Sequence, residues 1–131
     1  MNKLTLIARL LLGLILLAFG LMNLLGVAPQ NEYPEAAATF LGGLFVAGYV
    51  FPLLNLTMVI VGILLIVNRF VPLALVVFAP FTVNIILFHV FLDMSSIGPG
   101  LVVLILHLYL LFANIESYKP LLKTKVNNTT N

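Results

Sequence analysis

Two long apolar runs meet at a single charged residue in the middle of the chain. From Pro52 to Leu92 the only Asp, Glu, Lys or Arg residue is Arg69. A membrane-spanning helix needs about 20 apolar residues, and a helix satisfies its backbone polar groups without help from water. The pattern therefore predicts a helical hairpin whose tight turn, Asn68-Arg69-Phe70, lies at a membrane surface.

Polar and turn-forming residues divide the rest of the chain. A polar loop at 29–35 ends the first apolar run, Pro52 interrupts the second, and turn chemistry fills the stretch from Asp93 to Gly100. These breaks predict an all-α fold, a transmembrane four-helix bundle with an additional short membrane-associated helix between the first and second spans. The predicted spans cover about residues 4–26, 52–68, 71–91 and 100–118, and the extra helix covers about 36–50. Residues 1–118 form one domain in this scheme, and 119–131 form a polar cytoplasmic tail.

Small residues mark the faces on which the first two spans should meet. One face of the first span carries Arg9, Gly13, Leu16, Gly20 and Asn23. One face of the second span carries Asn55, Val59, Gly62, Ile66 and Arg69. Small side chains let membrane helices approach closely. Antiparallel packing would place both asparagines at one level and both arginines at the other.

Composition supports a lipid environment. Hydrophobic residues make up 63% of the chain and charged residues 8%, whereas soluble domains have about 45–50% and 25%. The six basic residues belong to the amino terminus, the 68–70 turn and the tail. This distribution predicts a multi-pass membrane protein with both termini cytoplasmic. The basic residues form no patch interleaved with aromatic residues, so nucleic acid is not an expected partner.

The residue types present exclude several kinds of membrane chemistry. The chain has no cysteine, which removes thiol–disulfide exchange, thiolate-bound zinc or iron–sulfur clusters, and covalently attached haem. No glycine-rich phosphate loop, nucleophile elbow or paired carboxylates occur. We therefore predict no catalytic residue and no metal site, and do not expect the chain to be catalytic on its own.

Polar groups inside the apolar runs are the candidate functional residues, because burying them in lipid is costly. The candidate ligand-binding residues are Asn23, Asn55, Asn84, His89 and His107. One hypothesis is a quinone-type or other small amphiphile in the outer half of the membrane, with its ring flanked by Phe81 and Phe88. The alternative is that these side chains bond to one another across helices and only stabilise packing.

Two further assignments concern ionisable residues. His89 and His107 could ligate haem, but their predicted depths differ by roughly 5–8 Å at 1.5 Å per residue, which disfavours that interpretation. Arg9 either extends to the lipid headgroups or forms a structural ion pair with Glu116, which should lie at a similar depth.

Three segments resemble one membrane-protein family. They are ARLLLGLILLAFGLMNLLG at 8–26, FLGGLFVAGYVFPLL at 40–54, and GILLIVNRFVPLALVVFAPFTVNIILFHVFL at 62–92. In these segments, and over about residues 8–118, the chain is similar to DoxX-family proteins. The resemblance implies a bacterial inner-membrane protein with four helices. Many members carry an acid in the second span near the position of Met58, and this chain has no carboxylate there.

The resemblance also bears on function. The family is named after a small subunit of an archaeal thiosulfate:quinone oxidoreductase, and some relatives are tied to redox homeostasis. It implies that this chain is an accessory or stabilising subunit of a quinone-linked membrane redox assembly, with a soluble oxidoreductase as partner. The alternative is a small transporter or a protein that binds a quinone or lipid through its outer-half polar residues. No cofactor is identified, and a quinone is the candidate ligand. The sequence leaves open whether the chain forms a homo-oligomer.

Overall fold

The computed structural model describes residues 2–125, and within that range every regular element is helical. The elements are α1 (Lys3–Leu24), α2 (Glu35–Ala47), α3 (Val50–Val67), α4 (Val71–Leu92), α5 (Gly98–Ala113) and α6 (Ile115–Tyr118). Short 3₁₀ helices cover Met94–Ser96 and Lys119–Leu122. The prediction of an all-α fold is confirmed. The predicted tail at 119–131 therefore begins with a helical turn, and its last six residues lie outside the described range.

Three helices are long and apolar enough to cross a membrane. They are α1, α3 and α4, with mean hydropathy of 2.4, 2.7 and 2.3. The predicted fourth span at about 100–118 is bent in the structure, because α5 ends at Ala113 and the following helical segment turns away by 71°. At this break Asn114 donates its side-chain amide to the carbonyl of Leu110 at 2.8 Å. A fourth span exists only if the two bent segments count as one.

The hairpin turn between α3 and α4 has the predicted position. Asn68 and Phe70 both adopt the left-handed region, with φ of 58° and 54°, and the backbone N–H of Arg69 donates to the carbonyl of Leu64. Asparagine tolerates this conformation, whereas phenylalanine adopts it at a cost of roughly 1–2 kcal/mol. The packing of α3 against α4 has to offset that cost, so this turn depends on its tertiary context.

The junction between α2 and α3 differs from the prediction in its exact place. Gly48 has φ of +86° and ends α2, because a glycine pays no Cβ penalty in the left-handed region. Pro52 does not interrupt a helix. It lies in the first turn of α3, which begins at Val50, where a missing N–H leaves no helical bond unmade.

Four helices contact one another in a closed ring. α1 packs against α3 and α5, and α4 packs against the same two helices. Most of the buried side chains between them are apolar, and the largest apolar ones that are fully buried are Phe78, Leu12, Leu16, Leu65, Leu75 and Leu110. α2 lies outside this ring and contacts α3 and α4.

The contact between α1 and α3 brings their backbones together. A Cβ atom added at Gly62 would lie 2.7 Å from the backbone nitrogen of Leu17 and 2.8 Å from the carbonyl oxygen of Gly13. A Cβ added at Gly20 would lie 2.9 Å from the carbonyl oxygen of Asn55. Four of the five residues of the predicted stripe on α1 are buried, and only Asn23, near the end of the helix, is exposed.

Replacing Gly62 tests this contact. Gly62→Ala should lower the free energy of unfolding by about 1–3 kcal/mol, since a backbone-to-backbone clash cannot be relieved by moving a side chain. Unfolding would be followed by circular dichroism of the purified protein during titration with a denaturing detergent. Gly42→Ala is the matched control, because nothing lies within 4 Å of a Cβ at that helical position. A Gly62→Ala variant as stable as the control would contradict the close approach.

Candidate functional site

A cavity of about 490 Å³ lies between α2, α3 and α4. All of its lining side chains are apolar except those of Asn84 and His89, which both come from α4. Its size lies within the range of small-molecule sites, about 300–1,000 Å³, and such sites combine apolar walls with a few polar groups. The cavity is therefore the strongest candidate binding site in the described part of the chain.

Aromatic rings form much of the wall. Phe81 and Phe88, predicted from the sequence to flank a ligand ring, both line the cavity. Phe88 contacts Phe40 of α2 with ring centroids 5.9 Å apart and Tyr33 of the preceding loop at 6.3 Å. These contacts hold α2 against α4 and give the cavity flat apolar faces.

The two polar side chains of the cavity bond to their own helix. Asn84 donates its Nδ2 to the carbonyl of Pro80 at 2.8 Å, and His89 is joined through Nδ1 to the carbonyl of Ile85 at 2.7 Å. A Cβ added at Gly100 of α5 would lie 3.5 Å from the same Nδ1 atom, so α5 packs against the His89 ring. Among residues 2–125 the two side chains are not bonded to each other or to another helix, so the cross-helix bonds of the packing-only interpretation are not formed at these two positions.

A second cavity of about 340 Å³ lies beside the first and contains Asn23 and Asn55. Leu44 of α2 and Phe51 of α3 line both cavities, so the two cavities share a wall where α2 meets α3. Asn55 is only 7% exposed, and its side chain makes no hydrogen bond among residues 2–125. Asn23 donates Nδ2 to the carbonyl of Phe19. The structure thus brings the predicted residues together in two pairs and not in one cluster.

His107 belongs to neither pair. It is 2% exposed, its Nε2 lies 2.8 Å from the carbonyl oxygen of Leu75, and its Nδ1 lies 2.7 Å from the hydroxyl of Thr82. Because a carbonyl only accepts, Nε2 donates and the Thr82 hydroxyl donates to Nδ1 in the neutral ring. Both ring nitrogens are occupied, so His107 joins α5 to α4 and has no lone pair left for a ligand or a haem iron.

The predicted ion pair between Arg9 and Glu116 is not formed. Arg9 is 6% exposed and donates Nη1 to the carbonyls of Leu65 and Ile66, the latter at 3.3 Å. Glu116 instead pairs with the exposed Lys119, at 2.7 Å between Oε1 and Nζ. The guanidinium thus lies at the negative end of the α3 dipole, where free carbonyls favour a cation.

Two buried polar residues of the described range, Thr82 and Asp93, were not predicted as part of any site. Asp93 follows α4, is 3% exposed, and accepts a hydrogen bond from the Ser95 hydroxyl on Oδ1 at 3.0 Å. Its Oδ2 is buried and has no partner in the described range. From the sequence Asp93 looks like a turn residue. The only available signal was that it is the one acid placed directly at the end of an apolar run.

Comparison with known proteins adds no constraint to this geometry. Scans against protein-family models, curated proteins and solved structures found no match for the chain. Across residues 2–125, no three His, Asp or Glu side chains lie close enough together to hold a metal ion.

Replacing Thr82 tests the bond between α4 and α5. Thr82→Val keeps the side-chain shape but leaves a buried imidazole nitrogen without its donor, so the free energy of unfolding should fall by about 1 kcal/mol. The measurement is the midpoint of unfolding in a denaturing detergent. Thr57→Val is the control, because the Thr57 hydroxyl bonds only to the carbonyl of Leu53 in its own helix. Equal midpoints for the two variants would show that the Thr82–His107 bond does not stabilise the fold.

Proposed function

We propose that this chain is an integral membrane protein that binds a small lipophilic molecule with a polar ring, a quinone-type amphiphile, in the cavity between α2, α3 and α4. The observation that carries the proposal is the composition of the cavity wall. Flat aromatic rings and aliphatic side chains surround two polar groups, Asn84 and His89. That combination suits a ligand with a ring, a hydrogen-bonding substituent and an apolar tail. No residue of the wall is a nucleophile paired with a base, so binding and not chemistry is the proposed activity.

The proposed membrane arrangement extends the three apolar helices to four spans. In it α1, α3, α4 and the bent α5–α6 pair form a four-helix transmembrane bundle in a bacterial inner membrane, and α2 is the additional membrane-associated helix. The closed ring of contacts between α1, α3, α4 and α5 supports this arrangement. The placement of Arg69 in the exposed α3–α4 turn, together with the other basic residues, supports cytoplasmic termini.

A second proposal concerns the assembly in which the chain works. The segments similar to DoxX-family proteins, among them NRFVPLAL at 68–75, favour an accessory or stabilising subunit of a quinone-linked redox assembly with a soluble oxidoreductase partner. The two proposals are compatible, because an accessory subunit can hold a quinone near its partner. In the first proposal the function is ligand binding in the cavity, whereas in the second the function is association with the partner, which does not require the cavity.

Filling the cavity tests ligand binding. Leu41 lines the cavity from α2 and is half-buried, so Leu41→Trp should occupy part of the space and reduce binding of decyl-benzoquinone by about tenfold or more. Binding would be measured as the excess of the quinone in nanodiscs that contain the protein over empty nanodiscs. Val46→Trp is the matched control, since Val46 lies on the same helix, is 85% exposed and lines neither cavity.

The outcomes separate the two proposals. Loss of binding in Leu41→Trp but not in Val46→Trp supports a ligand site. If the unmodified protein shows no excess of decyl-benzoquinone or of its reduced quinol, the ligand proposal fails. Co-purification of a soluble oxidoreductase that is equally strong for both variants would then leave the accessory role as the function.

Cysteine labelling tests the proposed orientation, because the chain has no native cysteine. Arg69→Cys should react with a membrane-impermeant maleimide only after spheroplasts are permeabilised. Glu32→Cys, in the exposed loop between α1 and α2, should react in intact spheroplasts. In the proposed topology one span separates Glu32 from the cytoplasmic amino terminus, whereas two spans separate Arg69 from it. Reaction of Arg69→Cys in intact spheroplasts would reverse the orientation.

A further inference from the structure

We infer that the cavity selects a ligand whose polar head donates a hydrogen bond, such as a phenol or a quinol hydroxyl, over one whose head only accepts, such as a quinone carbonyl. The inference rests on the proposed ligand-binding function and specifies the chemical form of the ligand. It follows from which atoms of His89 and Asn84 are already used.

His89 presents an acceptor. Its Nδ1 lies 2.7 Å from the carbonyl oxygen of Ile85, and a carbonyl cannot donate, so Nδ1 must carry the proton of a neutral ring. The other nitrogen, Nε2, then holds a lone pair. Nε2 makes no hydrogen bond within residues 2–125, and the side chain lines the cavity. A ligand hydroxyl can therefore donate to it.

Asn84 is used in the same way. Its Nδ2 donates to the carbonyl of Pro80 at 2.8 Å, which fixes the amide orientation and leaves Oδ1 without a partner in the described structure. One Nδ2 hydrogen also remains, so the amide can both accept and donate. Together, the two polar side chains offer two acceptor atoms and one donor hydrogen to the cavity.

No other side chain of the cavity wall changes this balance. The remaining lining residues are aliphatic or phenylalanine, which offer neither donors nor acceptors. The α4 backbone beside the two polar side chains is bonded within its own helix, and the carbonyls of Pro80 and Ile85 also accept from those side chains. A carbonyl placed against Nε2 would set two lone pairs facing each other, whereas a hydroxyl would complete a hydrogen bond.

The test compares three probes that differ only in the polar head. They are para-decylphenol, its methyl ether para-decylanisole, and decyl-benzoquinone. Binding is measured as the excess of each probe in nanodiscs that contain the full chain over empty nanodiscs. The phenol should bind about fivefold more tightly than the ether, the factor expected for one hydrogen bond, and more tightly than the quinone.

Two variants of His89 separate its nitrogens. His89→Gln can place an acceptor oxygen near the position of Nε2 and should keep most of the preference for the phenol. His89→Asn can keep the bond to the Ile85 carbonyl but has no group near Nε2, so the preference should fall to that of the ether. Val90→Ala is the control, because Val90 is the next residue of α4, is exposed and does not line the cavity.

Each outcome decides a different statement. If phenol, ether and quinone bind equally, or the quinone binds best, the donor preference is wrong and the proposed ligand site stands. If none of the probes binds, the proposed function fails with it. A preference that survives in His89→Asn as fully as in Val90→Ala would show that Nε2 is not the acceptor and overturn the inference.

Discussion

Direct contact between the backbones of α1 and α3 is the constraint on which the other contacts depend. Gly13, Gly20 and Gly62 leave no room for a Cβ on either helix, and this closeness brings the guanidinium of Arg9 to the last carbonyls of α3. In lipid, association of helices depends on such close packing, because lipid tails are as apolar as leucine. With the α1–α3 pair in place, α4 and α5 each find a neighbour on it, and the ring closes around Phe78 and His107.

The ways in which the polar side chains are satisfied follow from the same environment. Asn23, Asn84 and Asn114 each donate to the carbonyl four residues earlier in the helix. This bond hides the amide donors from lipid without requiring another helix. Only a few polar groups reach across helices, among them His107 and the Tyr118 hydroxyl, which donates to the carbonyl of Pro72 at 2.8 Å. The asparagines that bond within their own helix therefore contribute little to which helices pack together, and their side-chain oxygens stay open to a ligand.

Hydrophobic pattern and small-residue spacing were enough to predict the helices, the 68–70 turn and the face of α1 that meets α3. They did not predict that α2 ends at Gly48, because a single residue in the left-handed region ends this helix and helical periodicity carries no signal for it. The hydrogen-bond partners of Arg9 were also not predicted, because they are backbone carbonyls at the end of α3, and the prediction considered only side chains. For the cavity, the types of lining residue were predicted, but its division into two pairs depends on how α2 lies over α3. The wall contributed by Leu44 and Phe51 is visible only in the folded chain.

The bend at Asn114 has a consequence for the lipid around the protein. α5 has 16 residues, which span about 24 Å at 1.5 Å per residue, whereas the hydrocarbon layer is about 30 Å thick. In the proposed membrane arrangement the segment after Asn114 turns away by 71° and adds little height to this span, so the bilayer beside α5 is locally compressed, and such hydrophobic mismatch costs fractions of a kcal/mol per Å. The chain should accordingly partition toward thinner regions of a bilayer, with α5 turned to the thinnest lipid.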